Sequence, residues 1–155
     1  MKIGLIVYSQ TGHTREVASK IDEAMKAKGL QTTYESIEVE GGGKQGEKVT
    51  FMASPDAAAY DAILFAAPVQ AFNLCQVMKT YLKDVAVLEN KKIALLTTEQ
   101  FPFPWLGGNN AIKQMRKACA SKGGEVLASA VINWSSKRRE QMIANAVLEL
   151  SSVFA

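Results

Sequence analysis

Apolar and polar positions along the chain switch repeatedly between two rhythms. Residues 3–8, Ile3-Gly4-Leu5-Ile6-Val7-Tyr8, form an unbroken apolar run, the mark of a strand covered on both faces. From Thr14 to Lys28 the period lengthens. Val17, Ala18, Ile21, Ala24 and Met25 recur at helical spacing, Gly29 reads as the C-terminal cap, and Lys26 and Lys28 suit the negative end of the helix dipole. Thr32, Thr33, Tyr34, Ile37 and Val39 favour a second strand over residues 31–39. The glycines of residues 41–46 predict a flexible surface loop, followed by a short helix across Pro55 to Tyr60. The third strand spans residues 62–67 and stops at Pro68. A helix is expected from about Asn73, with Val77, Met78, Tyr81, Leu82 and Val85 on one side. The fourth strand covers residues 92–97. Ile112, Met115, Ala118 and Cys119 mark a helix closed by Gly123-Gly124. The fifth strand runs from Val126 to Ile132. A last helix, capped by Ser135 or Ser136, has Met142, Ile143, Ala146, Val147 and Leu150 as its buried stripe.

Five strands alternating with about five helices predict an α/β fold, a doubly wound parallel sheet in one domain over residues 1–155. Ligands of such sheets bind beyond the carboxyl ends of the strands, where the strand order reverses. The loops leaving strands one, three and four are therefore the places to look for chemistry.

Composition narrows the class. With 155 residues, 48% of them hydrophobic, the chain fills one core without disulfides. Cys75 and Cys119 form no Cys-x-x-Cys pair, and there is one histidine. Structural zinc, which takes four Cys or His ligands, is excluded, and two reduced, partly buried thiols are expected. No apolar run is long enough to cross a bilayer. The apolar start ends too soon, at Tyr8-Ser9-Gln10, for a signal peptide, so the expected location is the cytoplasm. The net charge of +3 is spread along the chain, which argues against nucleic acid. The one tight cluster, Lys137-Arg138-Arg139, reads as a solvated helix face, with a docking patch for an acidic partner as the alternative.

The first loop, Ser9-Gln10-Thr11-Gly12-His13-Thr14, joins a buried strand to a helix start. A helix N-terminus presents unpaired N–H groups and the positive end of its dipole. Gly12 permits close backbone approach, and Ser9, Thr11 and Thr14 add hydroxyls. Lysine is absent from the loop, so no nucleoside triphosphate signature is present. The set suits a phosphate monoester held without a metal. His13 either helps neutralise that phosphate or is an exposed ring at the helix start. The loop after strand three is Ala66-Ala67-Pro68-Val69-Gln70-Ala71-Phe72-Asn73. The loop after strand four runs from Thr97 to Gly108 and carries Phe101, Phe103 and Trp105 interleaved with Pro102 and Pro104. Exposed aromatics in that number need a cover, which a flat ring or a subunit interface would supply.

Ser-x-Thr-Gly-x-Thr after the first strand resembles the FMN-phosphate loop of the flavodoxin family, and the three loops in order extend the resemblance over essentially the whole chain. The resemblance implies a three-layer sandwich of strand order 2-1-3-4-5, without the long insertion that splits the fifth strand in some members. It implies FMN as cofactor, with Ser9, Thr11, Gly12, Thr14 and the amides of Gln10 and His13 on the phosphate. Backbone groups of Pro68, Val69, Gln70, Ala71 and Phe72 would follow the flavin edge near N5, one carbonyl there favouring a protonated N5. Thr98, Glu99, Gln100 and Phe101 would hold the pyrimidine end. Phe72 either lies against the ring or packs as a core residue or helix staple. The usual tyrosine is absent, and Trp105, Phe101 or Phe103 would replace it. Glu99 is expected to touch the ring or to be exposed, not to be catalytic.

The flavin supplies the redox chemistry, and no side-chain acid–base pair or nucleophile is expected. The leading reading is an electron carrier serving a partner protein or a small-molecule acceptor. The alternatives are an NAD(P)H-dependent quinone or flavin oxidoreductase and a flavin-poor binding module. Rapid bleaching of bound flavin by NADPH or NADH separates the second from the first. A basic chain departs from the acidic surfaces typical of electron-transfer flavodoxins, and a homodimer remains an alternative cover for the aromatics.

Overall fold

The computed structural model describes residues 1–85 and 87–155. Five parallel strands form its centre: β1 (Ile3–Val7), β2 (Thr32–Ser36), β5 (Ala62–Gln70), β7 (Lys92–Glu99) and β8 (Glu125–Asn133). Their spatial order is β2-β1-β5-β7-β8, the predicted 2-1-3-4-5. Two short strands, β3 (Glu38–Val39) and β4 (Phe51–Ala53), pair antiparallel beside this sheet, and β6 (Asn73–Leu74) folds back on the end of β5. The helices are α1 (His13–Ala27), α2 (Gln76–Asp84), α3 (Gly108–Ser121) and α4 (Arg139–Leu150).

Strand periodicity divides the core between two faces. Ile3, Leu5 and Val7 of β1, Leu64 of β5 and Leu96 of β7 pack with Val17, Ile21 and Met25 of α1 and Ile143, Ala146 and Leu150 of α4. Their neighbours Ile6, Ile63, Phe65, Ile93 and Leu95 point the other way, onto Met78, Tyr81 and Leu82 of α2 and Ala111, Met115 and Cys119 of α3. Gly4 is required on that second face, because a Cβ there would sit 2.5 Å from the ring of Tyr60. Cys75 and Cys119 are fully buried free thiols, and burial pushes each up to about 12. No described helix is long and apolar enough to cross a membrane.

Several boundaries differ from expectation. The predicted second strand breaks after Ser36, because its distal part leaves β1 and pairs with β4. Of about five helices, four are α-helices. The one expected between the second and third central strands is a single 3-10 turn, Ala57–Ala59. Pro68 does not end its strand, which runs on to Gln70. Ala66 faces β1, since its carbonyl accepts from Tyr8 N, and two residues on Pro68 faces the same side, where β1 has ended, so no bond to β1 is lost, and the Pro68 carbonyl accepts instead from Cys75 N of the returning chain. The helix expected at Asn73 starts at Gln76, since Asn73 and Leu74 form β6. Neither Ser135 nor Ser136 is the N-cap of α4, which begins after Arg138. Lys137 and Arg138 lie in the turn before α4 and Arg139 is its first residue, so the cluster is not a helix face.

Candidate functional site

The three chemistry-bearing loops converge at the carboxyl ends of β1, β5 and β7, at the point where the strand order reverses. Between them lies a cleft of about 110 Å³, walled by Gln10, Thr11 and His13 from the first loop, Pro68 and Val69 from the second, and Thr98, Glu99 and Gln100 from the third.

The first loop is shaped by Gly12, whose φ of 92° is left-handed and suits glycine alone without strain. Ser9 Oγ accepts from the backbone N–H of Gly12 at 3.1 Å and of Arg15 at 3.3 Å, so it caps α1 from within. The backbone N–H groups of Gln10, Thr11, His13 and Thr14 donate to no acceptor among the described residues. Four unpaired donors thus gather at the positive end of a fifteen-residue helix, a ready anion cradle. Thr14 is buried, and its Oγ1 meets Thr98 Oγ1 at 2.7 Å, tying the first loop to the third. His13 is half-buried and stacks on Trp134 with ring centroids 3.9 Å apart. Trp134 also takes the Arg139 guanidinium, 4.8 Å from its ring.

The glycine loop is not free, contrary to the sequence expectation. Gln10 Nε2 donates to the carbonyls of Gly42 (3.2 Å) and Gly43 (3.3 Å), Tyr8 donates to Gly42 O, and Gln70 Nε2 donates to Gly43 O at 3.1 Å. Gly43 has no room for a side chain, since Val77 Cγ2 lies 2.9 Å from where a Cβ would stand. The side chains of Gln10 and Gln70 are thus anchors, and only their backbones remain for a ligand.

The second loop is a two-residue hairpin. Gln70 pairs with Asn73, and Ala71 (φ 46°) and Phe72 (φ 63°) between them are both left-handed, the geometry of a type I′ turn without its preferred Asn-Gly. Asn73 Oδ1 accepts from Asn110 at 2.6 Å and Gln114 at 3.2 Å, fastening the hairpin to α3. The carbonyls of Pro68, Ala71 and Phe72 each already accept one hydrogen bond. Phe72 is 53% exposed, so it is not a core residue. It stacks on Phe101 of the third loop, centroids 5.3 Å apart and planes 10° from parallel.

The third loop divides in two. Thr98, Glu99 and Gln100 face the cleft, and Phe101 joins Phe72. Trp105 stacks on Phe103 at 4.5 Å and does not line the cleft. Glu99 is not exposed. It is 4% accessible, accepts from Gly108 N at 3.0 Å and from Asn133 Nδ2, and so anchors the first turn of α3. Burial pushes its carboxyl above the ordinary glutamate value, while the Asn133 and Gly108 donors pull it back in part. Gly108 makes room for it, since a Cβ there would stand 2.8 Å from Glu99 Oε1. Among the described residues no group of three or more His, Cys, Asp or Glu is placed to hold a metal ion.

The sequence did not single out Tyr8, Asn73, Asn110, Asn133 or Trp134, because each acts through a partner distant in the chain. Three successive glycines were the only local signal for the loop that Tyr8, Gln10 and Gln70 hold.

No family model matches the chain, and no curated protein matches it in sequence. Solved structures do. A WrbA-like flavodoxin from Agrobacterium tumefaciens superposes with a TM-score of 0.74 at 16% identity, over 98% of this chain and 94% of that one. The chain has the flavodoxin fold. Oxidised flavodoxin 2 from Bacillus cereus gives 0.69 at 15% identity over 97% and 98% of the two chains. A flavoprotein from Lactobacillus acidophilus in complex with FMN gives 0.61 at 18% identity over 84% and 92%. In this flavodoxin fold the cleft occupies the switch point of the sheet, between β1 and β5.

Proposed function

We propose that this chain binds FMN and carries electrons through it, the flavin supplying the redox chemistry. The observation that carries the reading is the set of four unpaired backbone N–H groups in the first loop, beside the Thr11 hydroxyl and the α1 N-terminus. A phosphate monoester matches them in charge and in its number of acceptors.

The two ends of FMN fit differently. The cleft of about 110 Å³ suits a phosphate and part of a ribityl chain. It is smaller than the roughly 300–1,000 Å³ of sites that enclose a whole ligand. The ring would meet Phe72 and Phe101 at the mouth. Rings 5.3 Å apart do not admit a third between them, which needs about 7 Å at carbon contact distances near 3.5 Å. The Phe72 hairpin tip therefore has to move outward, and its exposure permits that. The Pro68, Ala71 and Phe72 carbonyls keep a second lone pair each for a donor on the ring edge.

The side chains argue for a carrier over acid–base catalysis. The titratable groups lining the cleft are His13, stacked on Trp134, and Glu99, held by Gly108 and Asn133. Both are engaged structurally. The chain's task is to hold the phosphate, cover one ring face and leave an edge open. Thr11→Ala tests the phosphate assignment. A hydrogen bond to a charged group contributes about 1.5–3 kcal/mol, so FMN affinity measured by fluorescence quenching should fall roughly 10- to 100-fold with the melting temperature unchanged. Equal affinity in wild type and variant would remove the phosphate from this loop.

A further inference from the structure

A second cleft, of about 510 Å³, opens on the far side of the third loop. One wall is the stiff Pro102-Phe103-Pro104 segment. The other is the turn from Ser135 to Arg138, with Met142 of α4 below. The loop and turn are fastened together: Ser135 N and Oγ both donate to Gln100 O, and Asn133 Nδ2 donates to Phe101 O. The cleft is thus a fixed gap between two joined segments.

Its lining has two characters. Phe103, already stacked on Trp105, is 47% exposed and presents apolar surface together with the prolines and Met142. Lys137 and Arg138 stand exposed at one end, and neither has a carboxylate partner among the described residues. Glu140 pairs instead with Arg139, at 3.5 Å.

An apolar ligand would cover Phe103 and strand two cations at its edge. A simple inorganic anion would satisfy the cations and leave Phe103 and Met142 in water. A molecule with a flat ring at one end and a phosphate at the other satisfies both, and the volume suits one of that size. We infer that this cleft is a nucleotide site separate from the FMN cleft, with the base against Phe103 and Met142 and a terminal phosphate on Lys137 and Arg138. The site goes beyond the FMN reading and does not require it.

The test is calorimetric titration of the purified chain with 2′,5′-ADP, repeated with saturating FMN. The inference predicts saturable one-to-one binding that persists with FMN present. Lys137→Gln with Arg138→Gln should weaken it about tenfold or more, as expected for a lost charge-assisted contact, and Phe103→Ala should weaken it also. FMN affinity should be unchanged in all variants. These positions are exposed, and circular dichroism checks that each variant folds. Absence of saturable binding would overturn the inference. So would binding indifferent to these substitutions, or displacement of 2′,5′-ADP by FMN, which would put both ligands in one site. Failure of FMN to bind while 2′,5′-ADP binds as predicted would sink the flavin reading alone.

Discussion

At the scale of single residues, Glu99 is the most informative. A carboxylate 4% accessible to solvent is costly unless hydrogen-bonded, and here it receives two donors, one from the first turn of α3. Burial still dominates and raises its pKa in the fold. The folded protein therefore holds this proton more tightly than the unfolded chain. Its favourable contribution is full below the ordinary glutamate value and is lost as pH rises through the higher folded value. Glutamine cannot titrate, so the stability of Glu99→Gln relative to wild type should improve as pH rises through that window, read by urea denaturation at successive pH values. A gap independent of pH, or one moving the other way, would contradict this account of Glu99. The residue also shows where sequence reading stops. The turn from Ser9 to Thr14 was legible because a strand, a glycine and a helix start are local, but the partners that engage the Ser9 and Thr14 hydroxyls were not. The partners of Glu99, Gly108 and Asn133, lie 9 and 34 residues away, and no local rule separates a buried carboxylate from one facing a ligand.

At the scale of elements, the Ala71-Phe72 hairpin is the point of stored strain. Left-handed non-glycine residues cost on the order of 1–3 kcal/mol each. The exposed Phe72–Phe101 stack returns about 0.5–1.5 kcal/mol. Strain outweighs stacking, so Ala71→Asn with Phe72→Gly should stabilise the fold by about 1 kcal/mol or more and weaken FMN binding at the same time. Urea midpoints and FMN titration together check this. A destabilised double variant would mean that the turn is not strained. The same hairpin explains the boundary errors near Pro68. A proline usually closes a strand, but here β1 has ended and the missing N–H costs no bond to it, a fact of topology that local pattern does not carry. The five central strands and the helical stripes were legible because their burial repeats at periods of two and 3.6. The edge pieces β3, β4 and β6, two or three residues each, are too short for any period to show.

At the scale of the whole molecule, the fold is shared with flavodoxins at 14–16% identity over nearly the full chain. Such divergence preserves a two-faced apolar sheet and a loop arrangement rather than particular residues. At the switch point this chain has a left-handed glycine, hydroxyls and unpaired N–H groups on a helix N-terminus. Its surface is basic overall, with exposed aromatics in the loops beside the cleft. A ligand that binds the folded chain alone must also stabilise it, by about 2.7 kcal/mol at a hundredfold excess over its dissociation constant.

The most direct measurement is the absorbance spectrum of the purified protein before and after one equivalent of FMN, followed through gel filtration. The account predicts that flavin stays with the protein at one per chain, with bands near roughly 370 and 450 nm, as for an oxidised flavin cofactor, displaced from those of free FMN. Flavin that elutes separately with an unshifted spectrum would contradict the central claim, and would leave a flavodoxin fold whose phosphate cradle serves some other anion.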